Sequence, residues 1–291
     1  MLVGLLKTMR PKQWIKNVFV YAALVFDEKL LDVGLLLRTT GAFVLFCLVS
    51  SSVYIINDLA DIEKDRQHPE KRTRPLPSGK LKPPHAVVGA AVILGLSLPA
   101  GFLLDPRFGA ILAGYLVLNL AYSFWLKNVV IVDVMSIAAG FVLRVAAGVI
   151  IVDAERFSPW LYICMTFLAL FLAVGKRRHE LVLLKANANM HRRSLDEYTL
   201  EFLDEMTHLV TAGAIIGYSL YTFFSENLPP NHTMMLTIPF VIYLFFRYLY
   251  LVHVKGEGGR PEDLILRDRP FFAAVVLWGL AVIAVMYILP R

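Results

Sequence analysis

The sequence lacks several features on which common classes of protein depend. It has only two cysteines, Cys47 and Cys164, and both lie inside apolar runs, which argues against a disulfide framework and against a cysteine-based metal site. Its seven histidines include no HExxH pair, so catalytic zinc is not expected. The basic residues flank apolar runs, and no nucleic-acid partner is expected.

Charge is scarce as well. Charged residues make up 18% of the 291 residues and apolar residues 57%, with a mean hydropathy of +0.62. Soluble domains have about 45 to 50% apolar residues. The opening segment MLVGLLKTMRPKQW lacks a long apolar core followed by a small-residue cleavage site, so no removable signal peptide is expected. We therefore predict one integral membrane domain over residues 1–291.

Long apolar runs recur from end to end and predict an all-α bundle. A hydrocarbon core about 30 Å thick takes roughly 20 helical residues. On this measure nine transmembrane helices are predicted near residues 14–26, 35–57, 85–104, 108–125, 131–151, 159–175, 206–224, 234–252 and 270–289.

The distribution of basic residues predicts the orientation of these helices. Most of the 29 Lys and Arg residues lie before or at the start of the first predicted span or in the long connections at 58–84, 176–205 and 253–269. Basic residues that flank spans are retained on the cytoplasmic side. We expect a cytoplasmic N-terminus, an outer C-terminus and a site facing the cytoplasm, capped by these loops, in a plasma (inner) membrane.

An acidic motif closes the second predicted span. At 100° per residue, Asp58, Asp61 and Asp65 fall within about 60° of one another on a helix. Oxygen ligands at this spacing suit Mg²⁺ that also binds a diphosphate. The alternative is a solvated helix end whose acids are countered by neighbouring cations. Extension of the motif directly from a membrane span, where charge is costly, favours the metal site.

Several segments together resemble one known family. The motif Asn57-Asp58-xx-Asp61-xxx-Asp65 is similar to the first aspartate-rich motif of the UbiA superfamily of intramembrane prenyltransferases. Further segments resemble the decaprenyl-phosphate phosphoribosyltransferase branch of that superfamily: RPKQWIKN (10–17), HPEKRTRPLPSG (68–79), NLAYSFWLKN (119–128), VDVMSIAAGFVLRVAAG (132–148) and GKRRHEL (175–181). The resemblance covers nearly the whole chain.

This resemblance implies a function. It implies Mg²⁺-dependent transfer of 5-phosphoribose from phosphoribosyl pyrophosphate to a membrane polyprenyl phosphate of the decaprenyl type, with release of pyrophosphate, in cell-wall arabinan precursor synthesis. The alternative within the fold is transfer of a prenyl group from a prenyl diphosphate to an aromatic or other acceptor. A transporter or lipid-binding scaffold is a third reading, which the lack of an internal repeat weakens. A homo-oligomer is left open.

A departure from the aromatic prenyltransferases supports the phosphoribosyltransferase branch. Those relatives have a second acidic motif between helices six and seven, whereas GKRRHEL offers Lys176, Arg177 and Arg178 with only Glu180. The donor and the acceptor of the proposed reaction together bring several phosphates, which Lys and Arg are suited to hold. Positive-inside topology is the competing explanation for these cations. Whether a second Mg²⁺ site exists stays open.

The candidate site combines the acidic motif with residues near the predicted inner ends of the spans. Asp58, Asp61 and Asp65 are the predicted metal ligands and catalytic groups. Candidate substrate-binding residues have polar or cationic side chains: Lys16, Asn17, Asn57, Arg66, Lys71, Arg72, Arg74, Tyr122, Lys127, Asp133, Arg144, Lys176, Arg177 and Glu180. For those at the ends of the first and fourth spans, anchoring at the membrane interface is the alternative.

A polar stripe marks the fifth predicted span. Asp133, Ser136, Gly140 and Arg144 recur at helical spacing, and Arg144 lies about 16 Å along the helix from Asp133. Because an Arg at the centre of a membrane helix costs at least about 2.5 to 3.5 kcal/mol, Arg144 is expected to face the bundle interior. It would serve as an anion contact or as a structural partner of another helix. Gly140 and Gly148 are expected to permit close helix packing.

Overall fold

A computed structural model of the chain describes residues 2–67, 71–154, 158–186, 193–257, 264 and 267–289. Within these ranges the chain forms helices and turns, and no β-strand occurs. The predicted all-α fold class is confirmed. Each of the three long connections that were predicted to cap the site contains residues outside the described ranges, among them His68 of the segment HPEKRTRPLPSG.

The α-helices have the following bounds in chain order: α1 Leu2–Thr8, α2 Ala22–Phe26, α3 Val33–Ala60, α4 Ile62–Gln67, α5 Pro83–Leu104, α6 Pro106–Phe124, α7 Val132–Val152, α8 Pro159–Ala186, α9 Leu200–Phe224, α10 Ile238–His253 and α11 Arg269–Tyr287. A 3₁₀ helix, η1, covers Pro11–Tyr21 between α1 and α2. Shorter 3₁₀ turns cover Lys71–Thr73, Leu126–Asn128, Arg193–Asp196 and Thr233–Thr237.

Within the described ranges, seven helical segments are long and apolar enough to cross a membrane. They are Val33–Ala60, Pro83–Leu104, Pro106–Phe124, Val132–Val152, Pro159–Val182, Thr233–His253 and Arg269–Tyr287. These match seven of the nine predicted spans. The other two coincide with η1 plus α2 and with α9, whose first turns contain Glu201, Asp204 and Glu205. The count of nine stays a prediction.

The first predicted span differs from expectation in its helix type. Residues 11–21 form a 3₁₀ helix instead of an α-helix, although 3₁₀ runs longer than three or four residues are uncommon. Its rise of about 2.0 Å per residue, added to that of α2 at about 1.5 Å, gives a length of about 30 Å, the thickness of a hydrocarbon core. The stretched geometry therefore lets a short segment reach as far as a full α-helical span.

The contacts of the chain divide it into two compact units. The first comprises residues 1–24, 29–126 and 143–154, and the second comprises residues 25–28, 127–142 and 155–291. In the first unit α3 packs against η1, α5 and α6. Its core contains an aromatic group in which the ring of Phe46 meets Tyr115 and Phe108 edge-on, at centroid distances of 5.1 and 6.2 Å.

The 3₁₀ period of three residues per turn determines which side chains of η1 face α3. This period aligns Trp14, Asn17 and Val20 on one face of η1. The Trp14 indole donates to Ser51 Oγ at 3.0 Å, and the Asn17 amide donates to Cys47 and Ser50 on the next turn of α3, each at 3.2 Å. η1 also lies close to α7, because a Cβ added at Gly148 of α7 would lie 2.1 Å from the Val20 carbonyl oxygen. The expectation that Gly148 permits close packing is confirmed.

The second unit is built on the pair α8 and α9. A Cβ added at Gly217 of α9 would lie 3.2 Å from backbone atoms of Cys164 on α8, so the small residue lets the two helix backbones approach. Next to this pair, the Phe171 ring meets Phe245 and Tyr248 of α10 edge-on, at 4.9 and 4.6 Å. The segment GKRRHEL follows Phe171 in the C-terminal half of α8.

Candidate active site

The acidic motif lies where α3 gives way to α4. α3 ends at Ala60, and Asp61 at its C-cap has φ −103° and ψ 13° before α4 begins at Ile62. The Asp61 N–H donates to the Asn57 carbonyl at 3.0 Å, and the Asp61 carbonyl accepts from the Asp65 N–H at 2.8 Å. The helical path therefore continues through the break. It leaves Asp58 and Asp65 buried and Asp61 half-buried.

Asp58 is held by two arginines from outside the motif. Its Oδ1 forms a close ion pair with the guanidinium of Arg10 and accepts from Arg74 Nη1 at 3.2 Å. The Arg10 guanidinium also lies over the Tyr54 ring, 5.0 Å from its centroid. Arg10 comes from the turn between α1 and η1, so the N-terminal segment takes part in the site.

Asp65 shares one of these cations. Arg74 Nη1 donates to Asp65 Oδ2 at 2.8 Å, and Lys71 Nζ lies 3.8 Å from Asp65 Oδ1. A single nitrogen of Arg74 therefore contacts an oxygen of each buried carboxylate. Two of the three predicted metal ligands, Asp58 and Asp65, converge on one cation.

This convergence bears on whether the predicted Mg²⁺ fits. Over the described ranges, no three His, Cys, Asp or Glu side chains are placed to hold a metal ion together. Magnesium, however, is commonly held by one or two carboxylates and completes its octahedron with water and substrate phosphate. Asp58 and Asp65 supply two such carboxylates, directed at a point where a positive group already lies. The residues fit a Mg²⁺ ion that has Asp58 and Asp65 as protein ligands and a substrate phosphate as a further ligand.

Other predicted residues of this region lie toward solvent. Arg66 and Arg72 are exposed, and Arg66 pairs with the exposed carboxylate of Glu63 at 2.7 Å. Asn57 is half-buried, with its carbonyl bound to Asp61. Among these three residues, Arg66 and Arg72 are accessible to a ligand from solvent.

Arg144 lies in a buried polar group of the first unit. Its Nε donates to Asn17 Oδ1 at 2.7 Å, and its Nη2 donates to the Tyr115 hydroxyl at 2.8 Å. The guanidinium also lies 4.7 Å from the Tyr115 ring centroid. Arg144 is 5% exposed, so the expectation that it faces the protein interior is confirmed. Lys16 and Tyr122, also of the first unit, are half-buried.

In the second unit, Asp133 and Arg177 form a second buried ion pair. Arg177 Nε lies 3.0 Å from Asp133 Oδ2, and neither side chain is exposed. Arg177 also forms a close ion pair with Glu180, one turn along α8. Lys176, on the same helix, is half-buried. The segment GKRRHEL is thus connected to the start of α7 through Arg177.

Tyr198 completes this second cluster. Its hydroxyl donates to Asp133 Oδ1 at 2.7 Å and accepts from the Ile131 N–H at 2.7 Å. Ile131 has φ +68°, a left-handed conformation that is strained for a β-branched residue. Burial raises the pKa of the Tyr198 phenol, and its hydrogen bond to Asp133 raises it further. A second tie joins the same segments, because Ser194 Oγ donates to the Lys127 carbonyl at 2.9 Å.

Sequence reasoning missed three residues of these clusters: Arg10, Tyr115 and Tyr198. Arg10 opens the segment RPKQWIKN but was not among the candidate substrate-binding residues. That position was the available signal for Arg10. Tyr115 lies in an aliphatic run and Tyr198 in a charged segment, and no local pattern marks either as a site residue.

The chain is similar to known proteins over most of its length. Residues 18–182 match the UbiA prenyltransferase family. The decaprenyl-phosphate phosphoribosyltransferase of Mycobacterium tuberculosis is 34% identical over 284 residues, which cover 96% of this chain and 92% of that protein. The protein of the same name from Corynebacterium glutamicum is 32% identical over 301 residues, with 99% and 88% covered.

A solved structure has a similar fold. A UbiA homolog from Archaeoglobus fulgidus bound to DMAPP and Mg²⁺ superimposes with a TM-score of 0.74 at 20% identity, covering 98% of this chain and all of that one. At this identity the likeness concerns the fold.

Proposed function

The chain belongs to the UbiA prenyltransferase family, and from this premise we propose that it is a polyprenyl-phosphate phosphoribosyltransferase. It transfers 5-phosphoribose from phosphoribosyl pyrophosphate to a membrane polyprenyl phosphate and releases pyrophosphate. The observation that carries the proposal is identity of 32 to 34% to decaprenyl-phosphate phosphoribosyltransferases along nearly the full length of both chains. The family predicted from the sequence motifs is confirmed.

The proposed reaction needs charge and position rather than a protein base. An oxygen of the polyprenyl phosphate, already anionic at neutral pH, attacks C1 of the phosphoribose with inversion. The bond from C1 to the pyrophosphate oxygen breaks, and its electron pair leaves with pyrophosphate. Such a reaction gains most from positioning and from fixed groups that stabilise the charge on the leaving group.

The residues at the end of α3 supply those groups in this proposal. Asp58 and Asp65 hold Mg²⁺, with Asp61 and Asn57 beside them. The ion supplies electrostatic stabilisation of the departing pyrophosphate when it is bound. Lys71, Arg72 and Arg74 neutralise phosphate oxygens by charge-assisted hydrogen bonds, as does Arg66. Support comes from the convergence of Asp58 and Asp65 on the cation of Arg74.

The remaining candidates of the first unit are proposed as anion contacts. Arg144 is held by Asn17 and Tyr115 with its charge inside the unit. Lys16, next to Asn17 on η1, and Tyr122, near the end of α6, are half-buried polar groups of the same unit. We assign them to the phosphate of the lipid acceptor, because a buried cation is suited to receive an anion from the membrane.

In the second unit Lys176, Glu180 and Lys127 remain candidate substrate contacts, since their side chains are half-buried. Asp133 and Arg177 are fully buried against each other. Their contribution to function therefore runs through the position of the segment 193–203 and of the start of α7.

The arrangement in the membrane is proposed from charge and length. We propose nine crossings, made by the seven long apolar helices together with α9 and the segment of η1 and α2. The N-terminus then lies in the cytoplasm of a plasma-membrane protein, the C-terminus outside, and the end of α3 at the cytoplasmic face. A reporter fused after Arg291 should report an extracytoplasmic location, and a cytoplasmic one would refute this topology.

The choice of donor has a direct test. Purified protein is incubated with Mg²⁺, polyprenyl phosphate and radiolabelled phosphoribosyl pyrophosphate, and label is counted in the chloroform-soluble fraction. The proposal predicts Mg²⁺-dependent incorporation. Two observations favour the alternative, prenyl transfer to an aromatic or other acceptor: the family's name and the relative solved with DMAPP. Incorporation only from labelled prenyl diphosphate would establish that alternative.

A further inference from the structure

The acidic cluster at the end of α3 contains its own cations. The carboxylates of Asp58 and Asp65 contact three positive side chains, those of Arg10, Arg74 and Lys71. The half-buried Asp61 adds one further negative charge nearby. Among the described residues, three positive side chains thus already contact the two buried carboxylates, and a divalent ion that arrives alone meets these cations.

Burial divides the cluster into a fixed part and a movable part. The side chains of Asp58 and Asp65 are 2% and 5% exposed, whereas those of Arg10 and Arg74 are 27% and 22% exposed. The carboxylates are therefore held inside, and the long cationic side chains reach in from the solvent side. When the cluster rearranges, the guanidinium groups are the parts that have room to turn.

The backbone at Arg10 supports a specific role for this cation. Arg10 has φ 53° and ψ 62°, a left-handed conformation that costs a non-glycine residue energy. It also precedes Pro11, which restricts the preceding residue to extended conformations. The strained turn directs the guanidinium onto Asp58 and over Tyr54. Strain maintained at such a place is typical of functional positions.

We propose that Arg10 and Arg74 are the internal cations of this cluster, so that a divalent metal ion binds there together with an anionic diphosphate rather than by itself. The inference rests on the proposed function for the role of the diphosphate, and it adds the order in which the site fills. A metal ion alone meets two guanidinium charges where Asp58 and Asp65 converge. A diphosphate brings enough negative charge for the metal ion and for the guanidinium of Arg74 as well.

The test measures metal binding without turnover. The full chain, purified in detergent, is dialysed to equilibrium against radiolabelled Mn²⁺, with and without inorganic pyrophosphate, beside a protein-free micelle blank. The expected result for the wild type is weak binding of Mn²⁺ alone and binding tighter by a factor on the order of 10 to 100 with pyrophosphate, the usual range for coupled ligands. Pyrophosphate binding should tighten with Mn²⁺ by the same factor, because such coupling is reciprocal.

Variants of Arg10 separate charge from folding. In Arg10→Asn the new residue tolerates the left-handed backbone, and the positive charge is lost. Mn²⁺ alone should then bind about fivefold tighter or more, and the coupling between Mn²⁺ and pyrophosphate should decrease. Arg10→Lys keeps the charge and should behave as the wild type. Lys12→Gln removes an equal charge from an exposed site in the same segment and should also leave Mn²⁺ binding unchanged.

Arg74→Gln provides a second arm, needed if Arg10→Asn fails to yield folded protein. It should likewise tighten the binding of Mn²⁺ alone while weakening the binding of pyrophosphate. Equal Mn²⁺ affinity with and without pyrophosphate in the wild type would overturn the inference. Unchanged Mn²⁺ binding in both Arg10→Asn and Arg74→Gln would overturn it as well.

The inference and the proposed function fail in different ways. Pyrophosphate is common to both candidate donors, so coupled binding of Mn²⁺ and pyrophosphate supports the inference whichever donor is used. Absence of labelled phosphoribose from the lipid fraction would contradict the proposed donor without affecting the inference. Conversely, phosphoribosyl transfer without coupled binding of Mn²⁺ and pyrophosphate would support the proposed function and contradict the inference.

Discussion

Two buried aspartate–arginine clusters of this protein differ in the placement of their cations. At the end of α3, Asp58 and Asp65 are paired with Arg10, Arg74 and Lys71, whose side chains are partly open to solvent. At the start of α7, Asp133 is paired with Arg177, and both side chains are fully buried. Tyr198 closes the second cluster from a third segment of the chain.

This difference separates a cluster that can exchange partners from one that cannot. A cation that reaches a buried carboxylate from solvent can be replaced by another positive group that enters by the same route, so the carboxylate stays paired. A fully buried pair loses that option, because removal of one partner leaves a charge that nothing solvates. The first cluster is therefore suited to binding, and the second to fixing the segments that meet at it.

The largest effect is expected from breaking the fully buried pair. Arg177→Ala leaves Asp133 uncompensated and should lower the free energy of unfolding by about 3 to 5 kcal/mol. Thermal unfolding of the detergent-solubilised protein measures it. The matched control is Arg178→Ala on the same helix, whose pair with Asp204 is more exposed and should cost at most about 1 kcal/mol. Equal losses in both variants would show that full burial of the Asp133–Arg177 pair adds no cost beyond that of a partly exposed pair.

The first cluster should respond in turnover instead of stability. Asp65→Asn keeps the size of the side chain and removes a predicted metal ligand, and kcat should fall by about 10² to 10³, as for removal of one group that stabilises a transition state. The measurement is incorporation of labelled phosphoribose into lipid, with thermal unfolding in parallel. Glu63→Gln, an exposed carboxylate of α4, is the control. Full activity of Asp65→Asn would contradict the proposed role.

A smaller effect is expected at Tyr198. Tyr198→Phe removes a donor to Asp133 and the acceptor of the Ile131 N–H, and buried groups that lose a partner cost about 1 to 3 kcal/mol. The midpoint of thermal unfolding should fall accordingly. Tyr162→Phe, at a tyrosine 49% exposed on α8, should leave it unchanged. A Tyr198→Phe variant as stable as the wild type would show that the hydroxyl is not needed at this junction.

The smallest effect concerns pH. Burial raises the pKa of Tyr198 above that of an unfolded chain, which is about 10 for tyrosine. As pH rises above about 10, the unfolded chain loses this proton first, so stability present at neutral pH declines. Unfolding measured across this range should show a shallower decline in Tyr198→Phe than in the wild type. Identical pH dependence in the two proteins would place the phenol outside the buried cluster.

Local patterns were sufficient for much of the fold. Apolar runs predict the seven helices that are long and apolar enough to span a membrane, because the thickness of the bilayer fixes the length of an apolar helix. They failed to predict the helix type of residues 11–21, since the same residues satisfy either a 3₁₀ or an α-helical pattern. In the structure the 3₁₀ period places Trp14 and Asn17 on one face, and both donate to α3, a contact between segments that a local pattern does not contain.

The site divides in the same way. The spacing of Asp58 and Asp65 predicts that they share a helix face, and both are found on one cation. The identity of that cation was beyond the pattern, because many Lys and Arg residues lie in the neighbouring segments. Asp133 and Arg177 were both predicted as substrate contacts, and that role stays a prediction; the structure adds that the two pair with each other.

By itself the sequence determined the fold class, the family and the position of the acidic motif, because each depends on composition or on spacing within a few turns of one helix. Only the tertiary structure decided which charges meet. Arg10 with Asp58, Asn17 with Arg144, and Tyr198 with Asp133 are separated by 48, 127 and 65 positions. Such pairs form where packed segments bring distant residues together, and the spacing of residues within one helix does not predict that packing.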